Sequence, residues 1–253
     1  MKLGRAVADA NLQGRRGLIV YGIPGFPDPD SWDAILDLLD AEASVSIVET
    51  TYPVSAGFSS HANETLRRAH RVASAANAGR IRIRGTKPSL LVLYRETLGD
   101  QSFEAFTART RADYEGVVLE WDEPDDEGLY AAAGRGVGVE VIQCVGPWMS
   151  DARTAALAGR AEPGGLVYLM SAEMTGAELF LPGRIEACAK ATKLARSDVL
   201  VAAGFGIRTG DDVRRLREAP SLDAVIVGTA FIEACERGPS AAADLLADLK
   251  AAL

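Results

Sequence analysis

Val45-Ser46-Ile47-Val48-Glu49-Thr50-Thr51-Tyr52-Pro53 opens as a short, apolar, β-branched run and closes on a proline. Such a run reads as a strand buried on both faces, as strands of parallel sheets are. Pro53 forbids its continuation as an interior strand. This reading puts Glu49 at the strand's last position. A carboxylate delivered to the carboxyl end of a buried parallel strand is placed for acid–base work. The bland alternatives are a solvated glutamate or a helix-capping partner.

Working outward, seven more stretches have the same character. They are Gly17–Tyr21, Ser89–Tyr94, Gly116–Glu120, Gly138–Ile142, Leu166–Met170, Val199–Ala203 and Asp223–Val227. Helical patterns separate them. After the turn Gly22-Ile23-Pro24-Gly25-Phe26-Pro27, the residues Trp32, Ile35, Leu36 and Leu39 recur at helical spacing, with Asp30 or Ser31 as the expected cap. An Ala/Leu-rich helix, Ser240 to Leu253, ends the chain. Eight strand–helix units with no compositional break predict an α/β protein, a single (β/α)8 TIM barrel over residues 1–253. An open doubly wound sheet usually has fewer strands, and its nucleotide fingerprint is missing after the first one.

The chain has 253 residues, 48% of them hydrophobic, enough for one large barrel core. A net charge of −8 argues against nucleic acid or an anionic membrane as the main partner. It leaves a phosphorylated small molecule open, because backbone amides bind phosphate without net positive charge. Cys144, Cys188 and Cys235 lack metal-ligand spacing and read as buried thiols of a reducing compartment. Neither a signal peptide nor a membrane-length apolar run is seen, so a cytoplasmic location is expected.

The clearest ligand signal is glycine. Gly204-Phe205-Gly206-Ile207 follows strand seven and precedes a helix bearing Asp211 and Asp212. Gly228-Thr229-Ala230 follows strand eight and opens a helix. Met174-Thr175-Gly176-Ala177 follows strand six. Glycines let the backbone approach a phosphate, and helix N-termini turn N–H groups toward it. Tyr168 and Tyr94 are either barrel-filling aromatics or groups that present a hydroxyl to substrate. His61 and His70 are expected on the helix after the Glu49 loop, His70 on its solvated face, with no metal site implied. Of the acidic run after strand four, Glu120 and Asp122 are kept as candidates. Glu123, Asp125, Asp126 and Glu127 read as a solvated loop.

The residues together resemble the tryptophan synthase α subunit family from end to end. The shared landmarks are Glu49 with Pro53 beyond it, Leu93-Tyr94, Tyr168-Leu169-Met170-Ser171, Thr175-Gly176-Ala177-Glu178, Gly204-Phe205-Gly206-Ile207 and Val225-Ile226-Val227-Gly228-Thr229-Ala230. That family cleaves indole-3-glycerol phosphate by a retro-aldol reaction. The resemblance implies Glu49 as the acid–base residue, with Tyr168 at the reacting centre. It implies Gly176, Gly206, Gly228 and Thr229 as the phosphate site, and Ser60, Tyr94, Trp121, Asp122, Gln143 and Phe205 as pocket residues. It implies no metal and no organic cofactor.

The chain also departs from the pattern. The family's Asp-Pro-Leu-Ala-Asp-Gly-Pro loop, whose second Asp binds the indole N–H, reads here Ser55-Ala56-Gly57-Phe58-Ser59-Ser60-His61. Ser60 stands at that Asp, and a hydroxyl is no carboxylate base. Trp121 replaces a small residue, and Gln143 an apolar one, which needs a buried polar partner. The loop Ala172-Glu173-Met174 is short and lacks the usual Arg-x-Gly. These two changed loops face the β subunit in the family, so a β-like partner is implied by the resemblance and opposed by the loops.

Three readings follow. The first is a carbon–carbon lyase on a phosphorylated substrate, diverged from the α-subunit type. The second is indole-3-glycerol phosphate lyase itself, with Glu120 or Asp122 in place of the lost Asp. The third is a phosphate-binding or regulatory subunit without turnover, which has no chemical need of both Glu49 and Tyr168.

Overall fold

The computed structural model describes residues 2–76, 81–120 and 128–253. Nine parallel strands form one sheet: β1 Gly17–Tyr21, β2 Val45–Thr51, β3 Ser89–Tyr94, β4 Gly116–Glu120, β5 Glu140–Val141, β6 Gln143–Val145, β7 Leu166–Met170, β8 Leu200–Gly204 and β9 Ala224–Val227. Their order is β5-β4-β3-β2-β1-β9-β8-β7-β6. The two end strands, β5 and β6, are consecutive in the chain and separated by Ile142 alone. They are two pieces of the fifth strand of a nearly closed eight-stranded (β/α) barrel. β5 pairs with β4 and β6 with β7.

The break has a visible local cause. Gln143 Nε2 donates to the Val141 carbonyl at 3.1 Å, so a side-chain amide takes an acceptor of the ladder. This is also the polar partner that a buried Gln143 requires. The fifth strand therefore starts two residues later than Gly138 and runs on to Val145. The expected ends of β1, β3, β4 and β7 hold. β2 continues two residues past Glu49, since Pro53 rather than the carboxylate stops it.

Side chains alternate across each strand, and this builds the interior. Ile19, Ile47, Leu90, Val118, Ile142, Leu166, Ala202 and Ala224 pack together inside the ring. A helix over Lys2–Leu12 adds Leu3 and Val7 to this cluster and contacts β1, β2 and β8. It plugs the amino-terminal end of the barrel. Two positions further along the strands, the same inward faces carry Tyr21, Glu49, Val92, Glu120, Cys144 and Tyr168.

Helices cover the outer face. Trp32, Ile35, Leu36 and Leu39 are fully buried on the helix Pro29–Ala41, each contributing roughly 1.5–3 kcal/mol by burial. Asp28, not Asp30 or Ser31, caps this helix: its Oδ1 accepts the Ser31 N–H at 3.0 Å, and Pro29 takes the first turn, where a missing N–H costs nothing. The last helix is Pro239–Lys250. Among the described residues no helix is long and apolar enough to cross a membrane.

Candidate active site

The carboxyl ends of the strands open into a cavity of about 490 Å³. Glu49, Tyr168, Tyr94, Ser60, Gln143, Phe205, Gly176, Gly206, Gly228 and Thr229 all line it. Trp121 and Asp122 lie outside the described residues. The cavity has two chemically different ends.

At one end stands Glu49, 2% exposed, with no hydrogen-bond partner for Oε1 among the described residues. Burial, and then the negative charge of Glu120 across the cavity, push its pKa from 4.5 up to about 8. At neutral pH it holds a proton, as a general acid must. Glu120 ends β4 and accepts a hydrogen bond from the Ser59 hydroxyl. Ser59 is buried while its neighbour Ser60 is exposed at the rim. Both line the cavity, and the buried hydroxyl is one residue earlier than the position aligned with the family's Asp.

Behind Glu49 lies a buried polar chain. The Val54 N–H donates to His70 Nδ1 at 3.3 Å, so Nε2 carries the ring proton and faces Tyr21 Oη at 2.9 Å. The Tyr21 and Tyr94 phenols face each other, and burial pushes both well above the ordinary value. His70 is thus not on a solvated face. It is completely buried on the helix Glu64–Ala75 with Leu66, Ala69 and Ala73, and burial lowers its pKa to about 3. Its ring meets the edges of Phe58 and Tyr94. His61 precedes that helix instead of lying on it, and reaches the cavity.

Tyr168 fits because its neighbour is small. A Cβ on Gly204, its near partner on β8, would lie 2.2 Å from the Tyr168 hydroxyl. The Phe205 ring packs edge-on to Tyr168 at 5.8 Å. Phe205 holds φ at 74°, unusual for a side-chain-bearing residue. Burial, then the charge of Glu49, raise the Tyr168 phenol, which stays protonated. The Cys144 thiol, between the carboxylates, is pushed up to about 12 by burial and by the charges of Glu120 and Glu49, and is inert as a nucleophile.

At the other end are the glycine turns. The helix Thr229–Glu236 begins at Gly228 with no side-chain cap, so its first N–H groups have no intrahelical acceptor. Gly176, at φ 74°, sits against Asn63 and Thr229, where a Cβ would come within 2.5 Å of Asn63 Nδ2. A Cβ on Gly206 would lie 2.8 Å from the Ala177 carbonyl. One expectation is corrected here. The helix Gly210–Arg215 does not offer open N–H groups, because Thr209 and Asp212 close it with a capping box. Asp212 Oδ2 also accepts the Arg208 and Thr209 N–H groups.

Several participants were not anticipated. Asn63 caps its own helix and donates to the Thr175 carbonyl at 2.8 Å and to Thr229 Oγ1 at 3.2 Å. The Thr175 hydroxyl donates to the His61 carbonyl at 3.0 Å. The loop after β2 is thereby tied to the loop after β7. The Arg208 side chain reaches the cavity while paired with Glu233. Tyr21 and Cys144 were findable by counting every second residue from Ile19 and Ile142. His70 was findable as the residue four after Leu66, on the same helical face.

The family model described as tryptophan synthase alpha chain matches residues 7–252. The chain belongs to the tryptophan synthase alpha chain family, a family of lyases. The tryptophan synthase alpha chain of Burkholderia pseudomallei strain 1106a is 29% identical over 257 residues, covering 95% of this chain and 92% of that protein. That of Zymomonas mobilis is 27% identical over 263 residues, covering 97% and 93%. Among solved structures, tryptophan synthase from M. tuberculosis in an open form superposes with a TM-score of 0.80 at 22% identity, over 99% of this chain and 98% of that one. A structure from Aquifex aeolicus reaches 0.82 at 17% identity, over 100% and 98%. The barrel is thus the family's barrel, and the family expected from the landmark residues is the one found. Among the described residues no group of three or more His, Cys, Asp or Glu is placed to hold a metal ion.

Proposed function

We propose that the protein is a carbon–carbon lyase acting on a phosphorylated small molecule, with a substrate diverged from that of its relatives. Glu49 is the acid–base residue. It gives its proton to the leaving carbon, and its carboxylate then takes the proton of the neighbouring hydroxyl as the carbon–carbon bond breaks. The electron pair of that bond stays with the leaving fragment, and a carbonyl forms on the other. Tyr168 lines the reacting centre. Gly176, Gly206, Gly228 and Thr229 hold the phosphate.

The observation that carries this reading is the shared cavity. A protonated carboxyl with an unpartnered oxygen and an uncapped helix start open into the same 490 Å³. Phosphate binding at one end then supplies binding energy for the reaction at the other. In calorimetry with glycerol 3-phosphate, Thr229→Asp sets a like charge at the helix start and is expected to cost about 100-fold in affinity. Unchanged affinity in that variant would put the phosphate elsewhere.

Indole-3-glycerol phosphate itself is the second reading, favoured by the Glu120 carboxylate that reaches the cavity. A steady-state indole-release assay separates the two. A β-like partner subunit is supported by the apolar rim at Trp148, Met174 and Leu181, which lie on loops at the mouth. Co-elution with a tryptophan synthase β chain tests it.

A further inference from the structure

The reacting end holds a buried polar chain that the proton transfer leaves idle. His70, on the helix Glu64–Ala75, ties that helix to β1 and to the loop after β2. Its Nδ1 accepts the Val54 N–H at 3.3 Å, so Nε2 carries the ring proton and donates to Tyr21 Oη at 2.9 Å. Phe58 and Tyr94 pack edge-on to the ring, with centroids 5.3 and 4.7 Å away, and fix its orientation. Burial lowers the His70 pKa to about 3, so the ring stays neutral with that single proton. A phenol oxygen that receives from behind has its own proton left to give. Tyr21 is the cross-strand partner of Glu49, and its phenol faces that of Tyr94, with both lining the cavity. Whether Tyr21 gives its proton to the cavity or to Tyr94, which then gives its own, the pair sends one O–H donor forward. Burial, with the charges of Glu49 and Glu120 adding to it, raises both phenols well above their ordinary value, so neither ionises. The wall beside Glu49 is thus a fixed donor. An oxygen with lone pairs answers it, whereas a C–H surface would strand it away from water.

We propose that the Tyr21–Tyr94 phenol pair, set as a donor by His70, binds a carbonyl oxygen of the substrate, and that the substrate is a phosphorylated β-hydroxycarbonyl compound, an aldol. In such a compound the carbonyl is attached to the carbon that leaves. As the carbon–carbon bond breaks, its electron pair moves through that carbon onto the carbonyl oxygen, which the phenols hold as an enolate. The hydroxyl proton goes to Glu49 and the Glu49 proton to the leaving carbon. One carbonyl forms where the hydroxyl was, the other is restored on the leaving fragment, and the phenols lose nothing. Donors preset toward an oxygen whose charge grows as the bond breaks stabilise the transition state more than the ground state. A leaving fragment held in this way needs no ring and carries no positive charge. Tyr21 and Tyr94 touch the substrate; His70 is a positioning residue. The inference rests on the lyase reading above, with phosphate at the far end, and its test keeps the two apart.

The probes are 4-oxopentyl phosphate and 5-oxohexyl phosphate, each beside the alkyl phosphate of the same length, which lacks the carbonyl. Dissociation constants are measured by calorimetry for the wild type, Tyr21→Phe, His70→Leu and His70→Gln. The carbonyl stretch of the bound ketones is followed by infrared spectroscopy. For the length that fits, the ratio of alkyl to ketone dissociation constants is expected to fall about tenfold in Tyr21→Phe and in His70→Leu, while alkyl phosphate binding holds. His70→Gln keeps an N–H for Tyr21 and should keep the ratio. The stretch should lie lower in the wild type and in His70→Gln than in the other two variants. The double variant should lose no more than Tyr21→Phe alone. A merely structural role for His70 would weaken alkyl and ketone ligands together and leave the stretch in place. Should His70→Leu not fold, Tyr21→Phe and His70→Gln carry the test. A ratio or a stretch that Tyr21→Phe does not move overturns the carbonyl assignment. Loss of the ratio in His70→Gln overturns the role of His70. Failure of the alkyl phosphates to bind the wild type overturns the phosphate reading first, and this inference with it.

Discussion

Each end of the barrel holds a buried glutamate with a raised pKa, and the two ends use it differently. At the mouth, Glu49 is raised to about 8 and faces the cavity with Oε1 unpartnered. At the base, Glu140 opens β5, is 3% exposed and is raised to about 7, with burial the main cause in both cases. Glu140 Oε1 accepts the Leu166 N–H at 2.7 Å, bridging the start of the fifth strand to the next. A Cβ on Gly165 would lie 2.2 Å from that oxygen, so Oε1 is held tight against backbone. The cleft beside it is lined mostly by paired charges, Lys2 and Arg84 with Glu115, and Arg135 with Glu162, while Glu140 Oε2 has no hydrogen-bond partner among the described residues. A displaced pKa alone does not separate a reagent from a rivet. What separates them is what surrounds the free oxygen: at the mouth, the strand-end cavity with its glycine turns; at the base, a cleft lined by ion pairs.

The sharpest way to break this comparison is kinetic. Glu49→Gln keeps the shape and removes the proton, and turnover on the identified substrate should fall by about 100-fold or more. Glu140→Gln still offers an acceptor to Leu166 and should stay within about twofold of the wild type. Equal losses in the two variants would erase the distinction between mouth and base.

Stability against pH should show the two ends behaving alike. Unfolded, each carboxyl ionises near 4.5; folded, Glu49 keeps its proton to about 8 and Glu140 to about 7. The raised folded pKa means that stability is full below pH 4.5 and is lost as pH rises through the folded value. Urea unfolding at pH 4 and pH 8.5 should show Glu49→Gln gaining on the wild type with rising pH, by a few kcal/mol at the upper end. Glu140→Gln should gain less, over the narrower window from 4.5 to 7. A flat difference across this range would mean that the carboxyls are ionised in the fold.

The smallest effects concern glycines. A Cβ on Gly4 would sit 1.9 Å from the Gly164 carbonyl oxygen, a backbone atom that cannot step aside. Gly4→Ala should cost about 2–3 kcal/mol and leave ligand affinity alone. Gly204→Ala meets the end of the Tyr168 side chain, which can turn away. It should cost about 1–2 kcal/mol, with turnover falling as the phenol leaves its place. Thermal melts beside activity assays distinguish a base defect from a mouth defect.

Much of this was legible in the chain. Strands buried on both faces announce themselves as unbroken apolar runs, and five consecutive apolar residues at Leu166–Met170 admit little else. Glu49 was legible because a carboxylate inside such a run has no structural reason to be there. The glycine turns that line the cavity were legible in the sequence, whereas the capping box by which Thr209 and Asp212 close their helix was not anticipated. What could not be read was pairwise: Gln143 bonding back to its own strand, Tyr168 filling the space above Gly204, the buried Ser59 hydroxyl meeting Glu120. Each depends on which neighbour the strand register supplies, and no local pattern encodes that. His70 misled because a histidine in an arginine-rich helix looks solvated until the Tyr21 hydroxyl and the Val54 N–H are brought to its two nitrogens.

The plug helix has a consequence in time. Its apolar residues Leu3 and Val7 precede every barrel strand in the chain, yet they pack with Leu166, Ala202, Ala224 and Ile226, and Gly4 sits on Gly164. At synthesis rates of about 5–20 residues per second, the seat of the plug emerges roughly 8–45 seconds after the plug itself. During that interval the amphipathic segment Lys2–Leu12 has only the early strands β1 and β2 to pack on, and the far half of its seat is missing. The helix can therefore complete its seat only when the last barrel strands are in place.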